Sequence, residues 1–160
     1  MAKTNIKGSG VFLFLEKTPD SNSYTRFACA DSLSLSINTE ETEVTADCDD
    51  EEADENTVVF KAFEPGSVDW SGSIGGGVRR IDGADAGTNI SSAELVGFQL
   101  AGRRILMRYQ EGTATGSNRM QGLIFFTQNN LSADRTGQAT FAANFRGVGK
   151  LEQVQVEAAV

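Results

Sequence analysis

Seven carboxylates crowd nine consecutive positions: Asp47, Asp49, Asp50, Glu51, Glu52, Asp54 and Glu55. Such side chains can ligate a hard cation, and Asp47, Asp49 and Glu51 have the alternate spacing of a calcium loop. A calcium loop also needs a glycine at its sharp turn, and none follows here. No packed core absorbs so many like charges, so the stretch is expected to be a solvated loop or an interface segment. Cys48 lies inside it and Cys29 lies nineteen positions earlier. With no CxxC, the expected state is two reduced thiols, joined only in an oxidising environment. The chain has no histidine. That removes histidine triads, histidine general bases and most zinc sites. Gly75-Gly76-Gly77 could approach a phosphate, but it lacks the Lys-Ser/Thr pair and the helix of a phosphate loop and reads as a strand end. Asn89-Ile90-Ser91 matches a glycosylation sequon without a secretion signal to give it meaning. Arg79-Arg80 and Arg103-Arg104 read as solvated surface or as partners for acids on another copy. No nucleophile has a base, no catalytic acids pair, and no metal constellation forms. The expectation is a non-enzymatic protein without a cofactor.

The charge is local. The 160 residues hold 22 acidic and 14 basic groups, a net of −8. Residues 1–46 contribute −2, residues 47–66 contribute −7 and residues 67–160 contribute +1. A basic grip on nucleic acid is not expected, because phosphate binding needs clustered Lys and Arg. No apolar run reaches bilayer length, so no membrane anchoring is expected. Met1 to Gly10 is polar, without the apolar core of a signal peptide, which predicts folding in a cytoplasm.

The elements that position these groups read as mostly β. Val11–Leu15 is a continuous apolar run, as in a strand buried on both faces. From Phe27 to Ile37 an apolar set (Phe27, Cys29, Leu33, Leu35, Ile37) alternates with small residues that include Ser32, Ser34 and Ser36. A turn and a short piece at Glu43–Thr45 are expected next. Thr57–Phe63 then reads as an apolar strand ending at Pro65-Gly66, which makes residues 40–66 a long hairpin-like arm with an acidic tip. Its apolar residues Val58, Val59, Phe60 and Phe63 suit either an interface or a core strand. Val68, Trp70, Gly72 and Ile74 alternate with polar residues up to the triple glycine. Residues 91–101 are the helix candidate, with Ser91 and Glu94 as a capping box, Leu95, Phe98 and Ala101 on one face, and Gly102 as the stop. Strands are expected at 103–110, 120–128 and 138–147, where Phe141 and Phe145 join Trp70 and Phe98 as core. Leu151–Val156 suits a further strand or an arm, and residues 1–10 and 151–160 read as terminal contact arms or frayed ends. The sum is a single mainly β domain over 1–160, an antiparallel sandwich or barrel of seven or eight strands with one flanking helix.

The order of these blocks resembles the major tail tube protein family of long-tailed bacteriophages. The blocks are Ser32–Ser36 followed by Glu43-Val44-Thr45, Val59–Gly66 leading into Val68–Ser73, the helix at 91–101 with its following strand, and Ala139–Gly149 with its closing F…GxG pattern. The resemblance spans roughly residues 27–151. It implies six subunits per ring, rings stacked into a hollow tube, and double-stranded DNA passing through without specific binding. It further implies a place in the virion tail, assembly in the bacterial host cytoplasm, and tape-measure, tail-tip and tail-terminator proteins as partners. Under it, Ser32, Ser34 and Ser36 are candidates to face the lumen. The arm with Asp47, Asp49, Asp50, Glu51, Glu52, Asp54, Glu55, Val59, Phe60 and Phe63 is the candidate contact between rings, with Arg79, Arg80, Arg103 and Arg104 as its basic partners. Secretion and contractile injection tubes share the fold. A monomeric binding module, adhesin-like or carbohydrate-binding, is the alternative from a different class, although Trp70 reads as core and not as part of an aromatic platform.

Overall fold

The computed structural model describes residues 11–18, 21, 23–27, 30–44, 62–78, 89–112, 116–133 and 135–155. In chain order they form β1 (Val11–Glu16), β2 (Tyr24–Arg26), β3 (Ser32–Val44), β4 (Ala62–Gly77), α1 (Ser92–Leu100), β5 (Ile105–Glu111), β6 (Asn118–Ser132) and β7 (Thr140–Gln155). The strands join in a seven-stranded sheet of order β2-β1-β5-β6-β7-β4-β3. The described registers are all antiparallel. The fold is thus mostly antiparallel β with one short helix among the described residues.

The chain divides into two compact units, Met1–Ser36 with Trp70–Val160, and Ile37–Asp69. In the larger unit the sheet curls back over one core. Phe27 follows β2 and Phe141 lies on β7, four strands away in the sheet order. A flat sheet would separate them by roughly 19 Å. Their rings instead meet edge to face at 5.4 Å. The period-two pattern supplies the core: Leu13 and Leu15, Ile105 and Met107, Ile124 and Phe126, and Phe141, Ala143 and Phe145 are all buried. Trp70 and Ile74 of β4, Ile90 and Leu95 complete it.

Trp70 fixes how closely the strands approach. A Cβ at Gly147 would lie 2.0 Å from its Cε2, and one at Gly122 would lie 2.7 Å from its Cζ2. Only glycine leaves room for the indole there. The indole N–H donates to the Gly149 carbonyl at 2.9 Å, so the one polar atom of this buried ring is satisfied.

The helix begins as its sequence requires. The Glu94 N–H donates to Ser91 Oγ at 3.3 Å, and the Ser91 N–H donates to Glu94 Oε2 at 2.8 Å. Gly102 follows its end at φ 59°, the left-handed position that favours glycine. Leu95 is fully buried and Phe98 packs on the core, whereas Ala101 and Leu100 are exposed. The expected apolar face therefore stops at Phe98.

Three expectations about elements need correction. Val11–Leu15 is not buried on both faces: Leu13 and Leu15 enter the core, while Phe12 and Phe14 are half-buried and Arg26 lies 4.5 Å over the Phe12 ring. β3 runs unbroken from Ser32 to Val44, with no turn before Glu43. Its pairing with β4 carries it through a polar stretch that has no apolar periodicity. Pro65-Gly66 lies inside β4 and does not end a strand. It falls outside Ser71–Gly77, the part of β4 in register with β7, where a missing N–H costs least. Of the two readings of the tail, residues 151–155 take the strand: β7 continues to Gln155 and pairs Gln153 with Met120 and Gln155 with Asn118.

In the smaller unit, Ser67 Oγ donates to Glu40 Oε2 at 2.6 Å. Ile37, Phe63 and Val68 are exposed there at 51%, 56% and 58%.

Candidate functional site

On the outward face of β3, β4, β7 and β6, the rows through Ser73 and Gly75 are built from small and neutral side chains, and Arg146 stands in the next row, opposite Ser71 and Phe125. Strand alternation sends Trp70, Ile74, Phe141, Ala143 and Phe145 into the core, so their neighbours face outward. Register then sets the rows. Ser73 stands opposite Asn144, which stands opposite Gln128. Gly75 stands opposite Ala142 and then Asn130. Two hydrogen-bonded pairs lie along these rows: Ser34 Oγ and Ser73 Oγ lie 2.7 Å apart, and Asn144 Nδ2 donates to Gln128 Oε1 at 3.2 Å. Gln128 Nε2 donates on to Asn130 Oδ1 at 3.3 Å. Ser32 Oγ donates to the Gly75 carbonyl at 3.4 Å. The bulge between Phe126 and Gln128 re-aims β6, so Gln128 joins the outward rows two positions after a buried Phe126. These rows carry no charge between Ser34 and Gln128.

Ser32, Ser34 and Ser36 are all exposed. The sequence singled them out by alternation alone. It did not single out Ser73, Asn144, Gln128 or Asn130. Each sits on the polar side of its strand pattern, but only the long-range register places them in one row with Ser34.

Arginines on the other half of the sheet are not arranged as a phosphate grip. Arg108 lies 3.3 Å over the Tyr24 ring and Arg26 lies over Phe12. Rings cap these guanidiniums. Burial pushes Arg108 below the usual arginine value, and neighbouring Arg119 pushes the same way, against the pull of Tyr24 and Glu16. Burial, helped by Glu111, pushes Tyr109 above the ordinary tyrosine value.

A cleft of about 600 Å³ opens beside the end of α1. Its lining includes Phe98, Arg103, Arg104, Phe125, Phe126 and Arg146, with no acidic residue among the described residues that line it. Arg103 lies 5.1 Å over the Phe98 ring and also donates to the Lys17 carbonyl. Arg104 and Arg146 are exposed. Arg103 and Arg104 were expected from sequence as basic partners. Arg146 was not, because it lies 42 positions beyond Arg104 in the chain.

The remaining expected residues divide as follows. Trp70, Phe141 and Phe145 are buried and Phe98 is half-buried. Phe63 is exposed. Asp47, Asp49, Asp50, Glu51, Glu52, Asp54, Glu55, Val59, Phe60, Arg79, Arg80 and both cysteines lie outside the described residues, as do residues 1–10 and 156–160. Among the described residues no group of three His, Cys, Asp or Glu could hold a metal ion. Among them, too, no helix is long and apolar enough to cross a membrane.

No family model matches the sequence, and no curated protein matches it. The fold does match solved structures. The SPP1 tail tube aligns with a TM-score of 0.70 at 14% identity, over 96% of this chain and 81% of that one. The tail of an empty gene transfer agent particle, refined with C6 symmetry, aligns with a TM-score of 0.66 at 18% identity, over 92% and 98%. The sixfold-symmetrised baseplate of the anti-feeding prophage aligns with a TM-score of 0.58 at 7% identity, over 96% and 97%. The chain has the fold of tail tube proteins.

Proposed function

We propose that this chain is the structural subunit of a phage-type tail tube. Six copies close into a ring, rings stack into a hollow tube, and double-stranded DNA passes down the bore on its way into a host cell. The observation that carries this reading is the fold match over nearly the whole chain to a tail tube and to a tail refined with sixfold symmetry. The uncharged rows of this face through Ser73 and Gly75 support its second half. A wall of Ser, Asn and Gln offers neither cations to hold phosphate nor apolar rings to stack on bases. It is the candidate lumen surface, with Ser32, Ser34 and Ser36 on its edge strand. The role is mechanical, so neither a catalytic group nor a cofactor is called for. Tape-measure, tail-tip and tail-terminator proteins are the expected partners in the virion tail, and the host cytoplasm is the expected place of assembly.

The likeness to the anti-feeding prophage baseplate favours a second reading, a tube subunit of a contractile injection system. Negative-stain microscopy of the purified protein at rising concentration tests the shared core of both. Six-membered rings or hollow tubes are the expected outcome. A persistent monomer at every concentration and salt overturns both, and a monomer that binds glycans selects a binding module instead.

A further inference from the structure

We propose that the outward face of β2, β1, β5 and the start of β6 docks an acidic segment of a protein other than this chain. The inference goes beyond the tube reading and concerns a different part of the sheet from the neutral rows. Register places Arg26 opposite Phe14, Phe14 opposite Arg108, and Arg108 opposite Gln121. Arg119 stands in the next row on that face, opposite Gln110. Arg108 lies 3.3 Å over the Tyr24 ring and Arg26 lies 4.5 Å over the Phe12 ring. A guanidinium held flat on a ring has already lost rotamer freedom, so taking a carboxylate on its open edge costs it little more. Paired N–H donors to a carboxylate are the strongest recognition an arginine offers. Arg119 opposes the charge on Arg108, and the contrary pull of Glu16 is weaker. An incoming carboxylate relieves that repulsion.

Among the described residues, the larger unit has no carboxylate to spare for this face. It holds nine basic and five acidic residues there, and every one of those acids is engaged. Glu16 accepts from Ser21, Asp31 from the Gly77 N–H, Glu94 from the Ser91 N–H and Lys17, Glu111 from Asn118, and Glu152 from Gln121. The balancing charge therefore comes from outside this unit. Arginines stacked on Phe and Tyr make up the composition of protein interface centres, which favours a protein as the occupant. Nucleic acid is the poorer fit, because tracking phosphates takes a longer run of open cations and the rings that would stack on bases are covered by guanidiniums.

The probe is a fluorescein-labelled hexaglutamate peptide, followed by anisotropy at low salt. The wild type is expected to bind it, and R108Q/R119Q to bind it about tenfold more weakly. R135Q, changed at an exposed arginine between β6 and β7, is expected to bind as the wild type does. The Nε atoms of Arg108 and Arg119 are buried and have no acceptor among the described residues. Their Nε–H signals in 15N spectra of the wild type are expected to move when the peptide is added, a readout that needs no variant to fold. Equal binding by R108Q/R119Q, or signals that stay fixed, overturn the inference. Tighter binding of a duplex DNA fragment at the same two arginines overturns it as well, since the face is then a phosphate site. R108Q/R119Q is expected to form rings and tubes at the wild-type concentration. Loss of assembly by that variant, with its circular dichroism unchanged, assigns the face to a second copy and overturns the inference too. A wild type that forms neither rings nor tubes, yet binds the peptide through these arginines, refutes the tube reading and leaves the docking face standing.

Discussion

A methyl group at Gly147 would sit 2.0 Å from the Trp70 ring, and neither partner has room to retreat. Trp70 is 2% exposed and is tied to the Gly149 carbonyl. G147A is therefore expected to lower unfolding free energy by about 2–3 kcal/mol, read as a reduced urea midpoint. At the helix start, S91A removes the acceptor of the Glu94 N–H and is expected to cost about 1 kcal/mol in the same assay. Its partner carries a pH signature. Burial opposes the charge on Glu94, but the Ser91 N–H and Lys17, 3.0 Å away, outweigh it and hold the carboxyl below its ordinary value of 4.5. A lowered acid stabilises fully above its unfolded value and loses that contribution as pH falls through its folded one. Thermal unfolding between pH 7 and 3 is expected to show the wild type losing more stability below about pH 4.5 than E94Q does.

At the scale of elements, the legible parts were those encoded by neighbours in sequence. Ser91, Glu94 and Gly102 delimit α1 because capping is a local exchange of hydrogen bonds. Phe141, Ala143 and Phe145 mark the core side of β7 because alternation is local too. The extent of β3 was not legible, since residues 38–43 are polar and exposed and only pairing keeps them extended. Pro65 reads as a stop, yet β4 continues through it. The tertiary arrangement, and not propensity, decides what a proline interrupts. Nor does the sequence say that Gly122 and Gly147 share one ring, twenty-five positions apart, or that Ser34, Ser73, Asn144 and Gln128 form a line. The smaller unit leaves three large apolar side chains in water, Ile37, Phe63 and Val68. A lone subunit gains nothing from this exposure, whereas an assembly can bury it. F63S is expected to change the urea midpoint of the monomer by less than about 0.5 kcal/mol while abolishing tubes in negative stain.

For the whole molecule, the charge partition and the neutral face make one prediction together. Rows of Ser, Asn and Gln have no hold on phosphate, and most of the excess negative charge falls in 47–66. Placing cations on the outward rows is expected to create the hold that is missing. Tubes of S73K/N144K are expected to form normally and to retain double-stranded DNA on sedimentation at low salt, releasing it as salt rises. Wild-type tubes are expected to retain none. Equal retention by both would remove the lumen assignment from this face.

Trp70 is the single tryptophan of the chain and lies 2% exposed against Gly122 and Gly147. Its emission reports on the interior of one subunit and on no surface between subunits. A tube that falls apart into intact monomers keeps its short-wavelength fluorescence, and a chain that loses its core shifts to the red. Light scattering followed alongside this one fluorophore therefore separates disassembly from unfolding in a single unlabelled sample.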